Sequence, residues 1–368
     1  MDVAKRICFC GFHVGLGGIS HVMLNLVNGF AASGYGVDLL IANRSSPHLA
    51  SVDPRVRVVE IGSSLFFSII PRVIAYLRRE RPEWVISNRE KSNRYMVLAR
   101  WLSNGRVRIA FRVGNSMTST LRKRSFLKRW LRQKLIVWSY RQADLVIVNS
   151  ASLATDVAEH SLYPLERIVV LNNPMYSDDL LREAQLPAEH RWFFDRSVPV
   201  VLGVGRLTGQ KDFPALIRAF HKLRQNRQLR LIILGEGNDR RQLEELVSSL
   251  DLTDSVDFPG YVINPFAYMS KAQLFVLSSA WEGSPNVLIQ ALSVGCPVVA
   301  TDCPEGPREI LQEGRVAPLV PVGDVSAMAA AMQQVLDAPQ DREQLQLAAA
   351  NFEVKRCVAK YVEALDSV

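Results

Sequence analysis

Strand-like apolar runs alternate with amphipathic helical segments along the whole chain, and this alternation limits the possible folds most strongly. Runs such as Trp84–Ser87 and Leu274–Leu277 are rich in large apolar and β-branched residues, and a segment of helical periodicity follows each. Strands that alternate with helices form parallel sheets covered by helices on both faces. The sequence therefore predicts an α/β protein with doubly wound, Rossmann-like sheets, whose ligands bind beyond the carboxyl ends of the strands.

Length and a break in composition predict two such domains. A chain of 368 residues is long enough for two domains of roughly 100–200 residues each. The alternation stops at a polar, irregular segment after Pro174 and then resumes. We predict an N-terminal domain at 1–174, a linker at 175–197, a C-terminal domain at 198–350, and a final helix at 351–368 that packs back toward the N-terminal domain.

Positive charge is concentrated in the first half of the chain. Residues 1–180 contain 25 basic and 13 acidic residues, a net charge of +12, whereas the remainder carries −4. The segment 122–134 holds seven basic residues, with Phe126 and Trp130 at helical spacing. Such a helix suits an anionic membrane surface, although a solvated helix face or another polyanion would also fit it. No nucleic-acid reading motif surrounds it, so we expect no nucleic-acid partner.

The remaining composition indicates a cytoplasmic protein. No apolar run approaches the ~18 residues of a membrane span, and the first residues lead into a strand and not into a signal sequence. Five cysteines show neither metal-ligand spacing nor a disulfide framework, so no metal site is predicted. We expect a cytoplasmic location, with peripheral attachment to the inner face of the cell membrane through 122–134.

The stretch 278–301 predicts a helix between two buried strands. Ser284 is a suitable N-cap, Pro285 suits the first helical position, and Gly295 suits a left-handed C-cap, so the helix should span 285–294. Asn286, Gln290 and Ser293 would then share one polar stripe.

The start of this helix is a candidate anion site. Unpaired N–H groups and the helix dipole favour a phosphate there, and Gly283 allows close approach of the backbone. Glu282 precedes it, and Arg206 and Lys211 follow another strand of the same domain. Two cations beside a helix N-terminus suit a diphosphate and stabilise it as a leaving group. The alternative is an ordinary strand–helix–strand crossover with a solvent-facing Glu282.

Several motifs together resemble the retaining nucleotide-sugar glycosyltransferases of family 4, which have the GT-B fold of two Rossmann-like domains facing a cleft. The resemblance covers nearly the whole C-terminal half and is weaker in the N-terminal half, where it rests on Gly17-Gly18. The C-terminal motifs are Gly205-Arg206-Leu207, Gln210-Lys211-Asp212-Phe213, Gly235-Glu236-Gly237, Ser279 to Leu288 with Glu282 and Gly283, and Gly295 to Ala300.

The resemblance implies a role for each of these motifs. The N-terminal domain would bind the acceptor and the C-terminal domain the nucleotide-sugar donor. Catalytic roles fall on Glu282, which would meet the donor sugar, and on Arg206 and Lys211, which would hold its diphosphate. Donor contacts are implied for Gly17 and Gly18 over the phosphates, for Glu236 beside the nucleobase, and for Gly283, Ser284, Pro285, Asn286 and Val287 through their backbone.

Two positions depart from the family pattern. Gln290 stands where the family has a second glutamate, so a neutral oxygen would accept the hydrogen bonds of the donor ribose. The N-terminal domain lacks the histidine that many members place near the sugar. Candidates for sugar or acceptor contact there are His13, Arg89, Arg112 and Asn115.

The implied function is retaining transfer of a sugar from a nucleotide sugar, with a UDP-sugar expected from its frequency in the family. The acceptor would be lipid-linked or a polysaccharide, in lipopolysaccharide, capsule or exopolysaccharide synthesis. The chain lacks an Asp-x-Asp metal motif, which agrees with metal-independent transfer without a cofactor. The alternatives are a nucleotide-sugar epimerase or hydrolase on the same scaffold, and a nucleotide-sugar-binding subunit whose Gln290 marks weak catalysis.

Overall fold

The chain divides into two compact units, each built on its own parallel sheet. The computed structural model describes residues 5–11, 18–43, 47–62, 66–103, 107–122, 126–195, 197–304 and 306–368. The first unit comprises residues 1–174 and 354–368, and the second comprises 175–353. Helices connect parallel strands throughout both units, which confirms the predicted pair of doubly wound α/β folds.

The described part of the first unit contains a seven-stranded parallel sheet in the order β3-β2-β1-β4-β5-β6-β7. Its strands are β1 Arg6–Cys10, β2 Gly36–Ile41, β3 Arg57–Glu60, β4 Trp84–Ser87, β5 Arg108–Val113, β6 Leu145–Val148 and β7 Ile168–Val170. Its helices up to this point are α1 Gly18–Ala32, α2 Phe66–Glu80, α3 Glu90–Leu102, α4 Met117–Arg122, α5 Phe126–Tyr140 and α6 Ala151–Ser161.

The described part of the second unit contains a six-stranded parallel sheet in the order β10-β9-β8-β11-β12-β13. Its strands are β8 Val200–Val204, β9 Arg230–Leu234, β10 Val256–Gly260, β11 Leu274–Leu277, β12 Val298–Thr301 and β13 Leu319–Val320. Its helices are α7 Asp178–Glu183, α8 Phe213–Arg224, α9 Arg240–Ser249, α10 Pro265–Met269, α11 Asn286–Ser293, α12 Pro307–Ile310, α13 Val325–Asp337 and α14 Arg342–Ala349.

Each sheet has one point at which the strand order reverses. In the first sheet this point lies between β1 and β4, and in the second it lies between β8 and β11. At such a point the loops that leave the two adjacent strands run to opposite faces of the sheet, which opens a crevice at the carboxyl edge. The loops after β1, β4, β8 and β11 are therefore the places where this topology favours ligand binding.

The segment 175–197, predicted as a linker, belongs to the second unit. His190 is buried, and its Nε2 lies 2.9 Å from a carboxylate oxygen of Asp257. Trp192 is also buried, and the hydroxyl of Tyr268 donates to the carbonyl of Glu189 at 3.0 Å. The polar composition of the segment concealed these few anchoring side chains, which attach an irregular backbone to the domain.

Four short elements were missing from the sequence-based prediction. They are β7, β13, α4 and α7, which have three, two, six and six residues. The two strands are also edge strands of their sheets. Segments this short do not complete enough of a period for an apolar pattern to be recognised.

The last helix of the chain, α15 Val354–Asp366, is part of the first unit, where it packs against α1. Gly29 of α1 allows this approach, because a Cβ there would lie 2.6 Å from Val354 Cγ1. A buried arginine on β5 completes the attachment. Arg112 Nε donates to the hydroxyl of Tyr361 on α15 at 3.1 Å, and its Nη2 donates to the side-chain oxygen of Asn173.

Replacing Tyr361 by phenylalanine tests this attachment. Tyr361→Phe keeps the ring but leaves Arg112 Nε buried without its acceptor, so we expect the free energy of unfolding to fall by about 1–3 kcal/mol. Chemical denaturation of the full chain measures the change. Tyr261→Phe, at an exposed tyrosine of the second unit, is the matched control and should have little effect. Equal stability of both variants would show that the hydrogen bond contributes nothing.

Candidate active site

Two loops of the second unit are joined backbone to backbone at the carboxyl edge of the sheet. The N–H of Gly205, after β8, donates to Leu234 at 2.9 Å, and the N–H of Leu207 donates to Glu236 at 3.0 Å. A Cβ on Gly235 would lie 1.9 Å from the carbonyl oxygen of Gly205, so a side chain at this position cannot be accommodated without moving backbone. The glycines of the Gly235-Glu236-Gly237 motif thus permit the contact that fixes the loop after β8.

The same loop is also bound to the loop after β11. The N–H of Ala280 donates to Gln210 at 2.9 Å, and the hydroxyl of Ser278 donates to the carbonyl of Lys211 at 2.7 Å. The side-chain amide of Gln210 donates to Trp281 at 3.0 Å. These contacts hold residues 206–212 against residues 278–284 on the two strands that flank the reversal point.

A buried ion pair joins the two loops. Lys211 Nζ lies 2.5 Å from Glu282 Oε1, and the two side chains are 15% and 6% exposed. The hydroxyl of Ser279 donates to the same oxygen at 2.6 Å. Glu282 Oε2 has no hydrogen-bond partner among the described residues. Glu282 is therefore held through one oxygen, and the alternative of a solvent-facing carboxylate is wrong.

A further hydroxyl fixes the turn that carries Ser279. Thr301, at the end of β12, is fully buried, and its Oγ1 donates to the carbonyl of Ser279 at 2.6 Å. Cys303 is buried close by, and burial together with the charge of Glu282 raises the pKa of its thiol to about 11. The thiol is thus uncharged at neutral pH.

Helix α11 begins one residue later than predicted. It spans Asn286–Ser293 with Pro285 as N-cap, and Ser284 does not cap it. The hydroxyl of Ser284 instead donates to the side-chain oxygen of Asn286 at 3.1 Å. The predicted end is close to the observed one, because Gly295 has φ +68° and donates to Leu292 in a left-handed C-cap.

The polar stripe predicted along α11 is largely buried. Gln290 and Ser293 are both less than one-tenth exposed, and the hydroxyl of Ser293 donates to the carbonyl of Gln290 at 2.8 Å. At the other end of the helix, the backbone N–H groups of Gly283 and Val287 have no acceptor among the described residues. The start of α11 therefore retains donors for an anion beside the Lys211–Glu282 pair.

Other predicted donor-contact residues of this unit are more exposed. Arg206 is exposed and makes no side-chain hydrogen bond or ion pair with another described residue. Glu236 is exposed as well, and its carboxylate accepts from Arg240 Nη1 at 2.7 Å. Of the three residues with implied catalytic roles, the structure thus pairs Lys211 with Glu282 and leaves the guanidinium of Arg206 open to a ligand.

Among the described residues, the candidates in the first unit make no hydrogen bond or ion pair with one another. Arg112 is 4% exposed, and two of its nitrogens are engaged by Tyr361 and Asn173, so its contacts are internal to the fold. Arg89 and Asn115 are exposed after β4 and β5. Gly18 begins α1, whereas Gly17 and His13 lie outside the described residues.

Sequence reasoning gave no role to Ser279, Thr301 or Cys303. Ser279 precedes Glu282 by three residues, a spacing that was visible within the motif. Thr301 ends a different strand and Cys303 follows it, and nothing in their local pattern points to Glu282. Their proximity arises from the pairing of β11 with β12.

A mutant cycle on Lys211 and Glu282 tests the ion pair. Lys211→Met leaves a buried carboxylate without its cation, and we expect a loss of about 3 kcal/mol in the free energy of unfolding. Adding Glu282→Gln should restore part of this loss, because it removes the unpaired charge. Chemical denaturation of the two single variants and the double variant measures the coupling, and strictly additive losses would contradict the pairing.

Comparison with known proteins covers both units. A family model described as Glycosyltransferase Family 4 matches residues 16–178, and one described as Glycosyl transferases group 1 matches residues 189–352. An uncharacterised glycosyltransferase of Methanocaldococcus jannaschii is 32% identical over 67% of this chain and 62% of its own length.

A second relative has a named activity. It is the N-acetylgalactosamine-N,N'-diacetylbacillosaminyl-diphospho-undecaprenol 4-alpha-N-acetylgalactosaminyltransferase of Campylobacter jejuni, 33% identical over 55% of this chain and 53% of its own length. The chain thus aligns with only about half to three-fifths of the length of these relatives.

A solved structure shows the same fold along the chain. Anabaena HepE in complex with UDP superposes with a TM-score of 0.80 at 17% identity, covering 99% of this chain and 100% of that one. Because the two family models divide nearly the whole sequence between them, the chain belongs to the family 4 glycosyltransferases, which have the GT-B fold.

Proposed function

We propose that this protein transfers a sugar from a nucleotide sugar to an acceptor hydroxyl with retention of anomeric configuration. The observation that carries the proposal is the buried Lys211–Glu282 pair, which lies in one loop assembly with exposed Arg206 and the open start of α11. Cations and backbone donors suit a diphosphate, and a fixed carboxylate suits the hydroxyls of a sugar.

In the proposed reaction, the bond between the anomeric carbon and the diphosphate breaks, and its electron pair leaves with the diphosphate oxygen. Arg206, Lys211 and the N–H groups at Gly283 and Val287 stabilise the charge that develops there. The acceptor oxygen bonds to the anomeric carbon on the face that the diphosphate leaves, and the acceptor proton passes to the departing diphosphate. These groups supply the electrostatic stabilisation, so the proposed transfer uses neither a cofactor nor a metal.

Glu282 would orient the transferred sugar. Its Oε1 is occupied by Lys211 and Ser279, so Oε2 is the oxygen that would accept a hydrogen bond from a sugar hydroxyl. Gln290 would accept from the ribose without a formal charge, and we therefore expect weaker donor binding than a glutamate would give.

The donor and acceptor classes are supported by proteins that resemble this one. HepE has been crystallised with UDP, which supports a UDP-sugar as donor. The Campylobacter relative is named for a diphospho-undecaprenol acceptor, which supports a lipid-linked glycan over a free polysaccharide. We propose a role in cell-envelope glycan synthesis of the lipopolysaccharide, capsule or exopolysaccharide type.

Gln290 favours one alternative, a subunit that binds a nucleotide sugar with weak catalysis. Donor binding without transfer to any acceptor, and a gain of transfer in Gln290→Glu, would support it. Release of free sugar, or of an epimer, in the absence of acceptor would instead identify a hydrolase or epimerase.

Removing the exposed cation tests the donor site. Arg206→Ala should raise the Kd for UDP about tenfold or more, because a charge-assisted hydrogen bond contributes roughly 1.5–3 kcal/mol. Isothermal titration measures the Kd for UDP. A thermal-shift screen of nucleotide sugars first identifies the donor, whose Kd is measured in the same way. Arg241→Ala is the matched control, since Arg241 is an exposed arginine that pairs with Glu245 on α9. Unchanged affinity in Arg206→Ala would remove Arg206 from the donor site.

We further propose that α5 attaches the protein to an anionic membrane surface. Its two tryptophans, Trp130 and Trp138, are 53% and 43% exposed, and the exposed leucines Leu131 and Leu135 lie on the same face. Exposed Lys128 and Arg129 precede them. An apolar stripe with aromatic residues beside cations is the pattern of a helix that lies in the membrane interface.

The structure also limits which charges of 122–134 are available. Arg132 pairs with Glu90 at the start of α3, so its charge is compensated within the unit. Residues 123–125 lie outside the described residues. None of the helices in the described ranges is both long and apolar enough to cross a bilayer.

Liposome sedimentation separates the two contributions to membrane binding. Charge reversal by Lys128→Glu and Arg129→Glu should remove about 1 kcal/mol or more per site on vesicles rich in phosphatidylserine and leave binding to neutral vesicles unchanged. Trp130→Ser with Trp138→Ser should weaken binding to both kinds of vesicle. Arg241→Glu is the control for charge reversal. Wild-type sedimentation by all variants would exclude α5 as the membrane-binding surface.

A further inference from the structure

The loop between β4 and α3 lies at the reversal point of the first sheet and takes no part in the proposed donor site. Ser87, the last residue of β4, pairs with Cys10 of β1 and with Phe111 of β5. It therefore sits at the carboxyl edge in the centre of the sheet, where doubly wound folds bind ligands. Helix α3 starts directly beyond it, with Arg89 at the N-cap and no side-chain cap hydrogen bond.

Two buried polar atoms, one at the end of β4 and one in the first turns of α3, have no partner among the described residues. The hydroxyl of Ser87 is fully buried, and Asn93, one turn into α3, is 2% exposed with an unpartnered side-chain oxygen. Native folds pair nearly all such groups, because a buried polar group without a hydrogen-bond partner is unfavourable. A hydroxyl both donates and accepts, so the hydroxyl groups of a sugar would satisfy both atoms.

The next residue of α3 is a cation that also lacks a partner among the described residues. Arg94 is half-buried, and its guanidinium makes no hydrogen bond or ion pair with another described residue. Burial lowers the pKa of Arg94, and the nearby positive charge of Arg132 lowers it further. The negative charge of Glu90 acts in the opposite direction. Because Glu90 already accepts two hydrogen bonds from Arg132, this acid is compensated and Arg94 remains the uncompensated charge.

We infer that the first unit binds a sugar phosphate at this point, with the phosphate on Arg94 and the open start of α3, and with sugar hydroxyls on Ser87 and Asn93. The inference rests on the proposed function and narrows its acceptor to a glycan attached through phosphate. A neutral polysaccharide would use the hydroxyl contacts and leave Arg94 unpaired.

The position of α5 agrees with such an acceptor. Arg132 belongs to α5, and its hydrogen bonds to Glu90 fix α5 against the start of α3. The exposed apolar stripe of α5 and the β4–α3 loop are thus parts of one assembly within the first unit. A phosphate bound there would lie beside the helix that we propose to rest among lipid headgroups.

Calorimetric titration of the full chain with glucose 1-phosphate and with inorganic pyrophosphate tests the inference. All variants carry Arg206→Ala, which weakens the phosphate site of the second unit. Arg94→Gln should raise the Kd for both probes about tenfold, whereas Arg94→Lys should retain most of the affinity for both. Ser87→Ala should raise the Kd for glucose 1-phosphate a few-fold and leave the Kd for pyrophosphate unchanged, because pyrophosphate has no sugar hydroxyl.

Lys91→Gln is the matched control, since Lys91 is an exposed cation on the same helix. Thermal unfolding of every variant establishes that it is folded. If Arg94→Gln binds both probes as tightly as Lys91→Gln does, the inference is overturned. It is also overturned if Arg206→Ala alone already abolishes binding of both probes. Neither result would affect the UDP site of the second unit, which is measured separately with Arg206 intact.

Farnesyl diphosphate separates lipid-linked from free phosphate ligands. If it binds more tightly than pyrophosphate, and Trp138→Ser removes the difference, the phosphate belongs to a lipid-linked substrate. Equal affinities would place a soluble sugar phosphate at the site. An effect of Ser87→Ala on pyrophosphate as large as its effect on glucose 1-phosphate would contradict the assignment of Ser87 to a sugar hydroxyl.

Discussion

The candidate active site depends on one charged contact, the pairing of Lys211 with Glu282 in a largely buried position. Burying either charge alone is unfavourable, so each residue needs the other. The pair also joins the loop after β8 to the loop after β11, which are the loops on either side of the reversal point. The hydroxyl of Ser279 donates to the same carboxylate, and the hydroxyl of Thr301 fixes the turn that carries Ser279 by donating to its carbonyl. The geometry available to a substrate is thereby set before any substrate arrives.

The two units offer different chemistry at corresponding edges of similar sheets. The second unit has cations, a carboxylate that is held through one oxygen, and free amides at the start of α11. The first unit has unpaired neutral groups at Ser87 and Asn93 and an uncompensated Arg94. In our proposals, the same topological feature would therefore bind a strongly anionic ligand in one unit and a hydroxylated, phosphate-bearing ligand in the other, according to the side chains that each loop carries.

Much of this could be predicted from the sequence because strand periodicity and glycine motifs are local. The runs at Trp84–Ser87 and Leu274–Leu277 match β4 and β11. Lys211 and Glu282 were also identified, because their motifs resemble a known family. The contact between them was not, since its distance depends on how β8 and β11 pair. The contacts of Thr301 and Arg112 could not be predicted for the same reason. Their partners are remote in sequence and come close only in the folded structure.

The N-cap of α11 illustrates a different limit. Ser284 has the right residue type, but its hydroxyl bonds to Asn286, so the local preference was overruled by a neighbouring side chain. The segment 175–197, predicted as a linker, shows the opposite limit. A few buried side chains such as Trp192 attach it to the second unit despite its polar composition. The composition of a segment is an average over its residues, whereas its attachment to a domain depends on a few individual contacts.

The return of α15 to the first unit has a consequence for how the chain matures. The second unit is an insertion whose two ends lie together, as the N–H of Met175 donates to the carbonyl of Phe352 at 2.8 Å. Translation proceeds from the N-terminus, so the segment that covers Gly29 and binds Arg112 emerges from the ribosome only after the whole second unit has been made. The first unit thus waits for synthesis of the second before its apolar surface is covered by α15, whereas the second unit is continuous in sequence from residue 175 to residue 353.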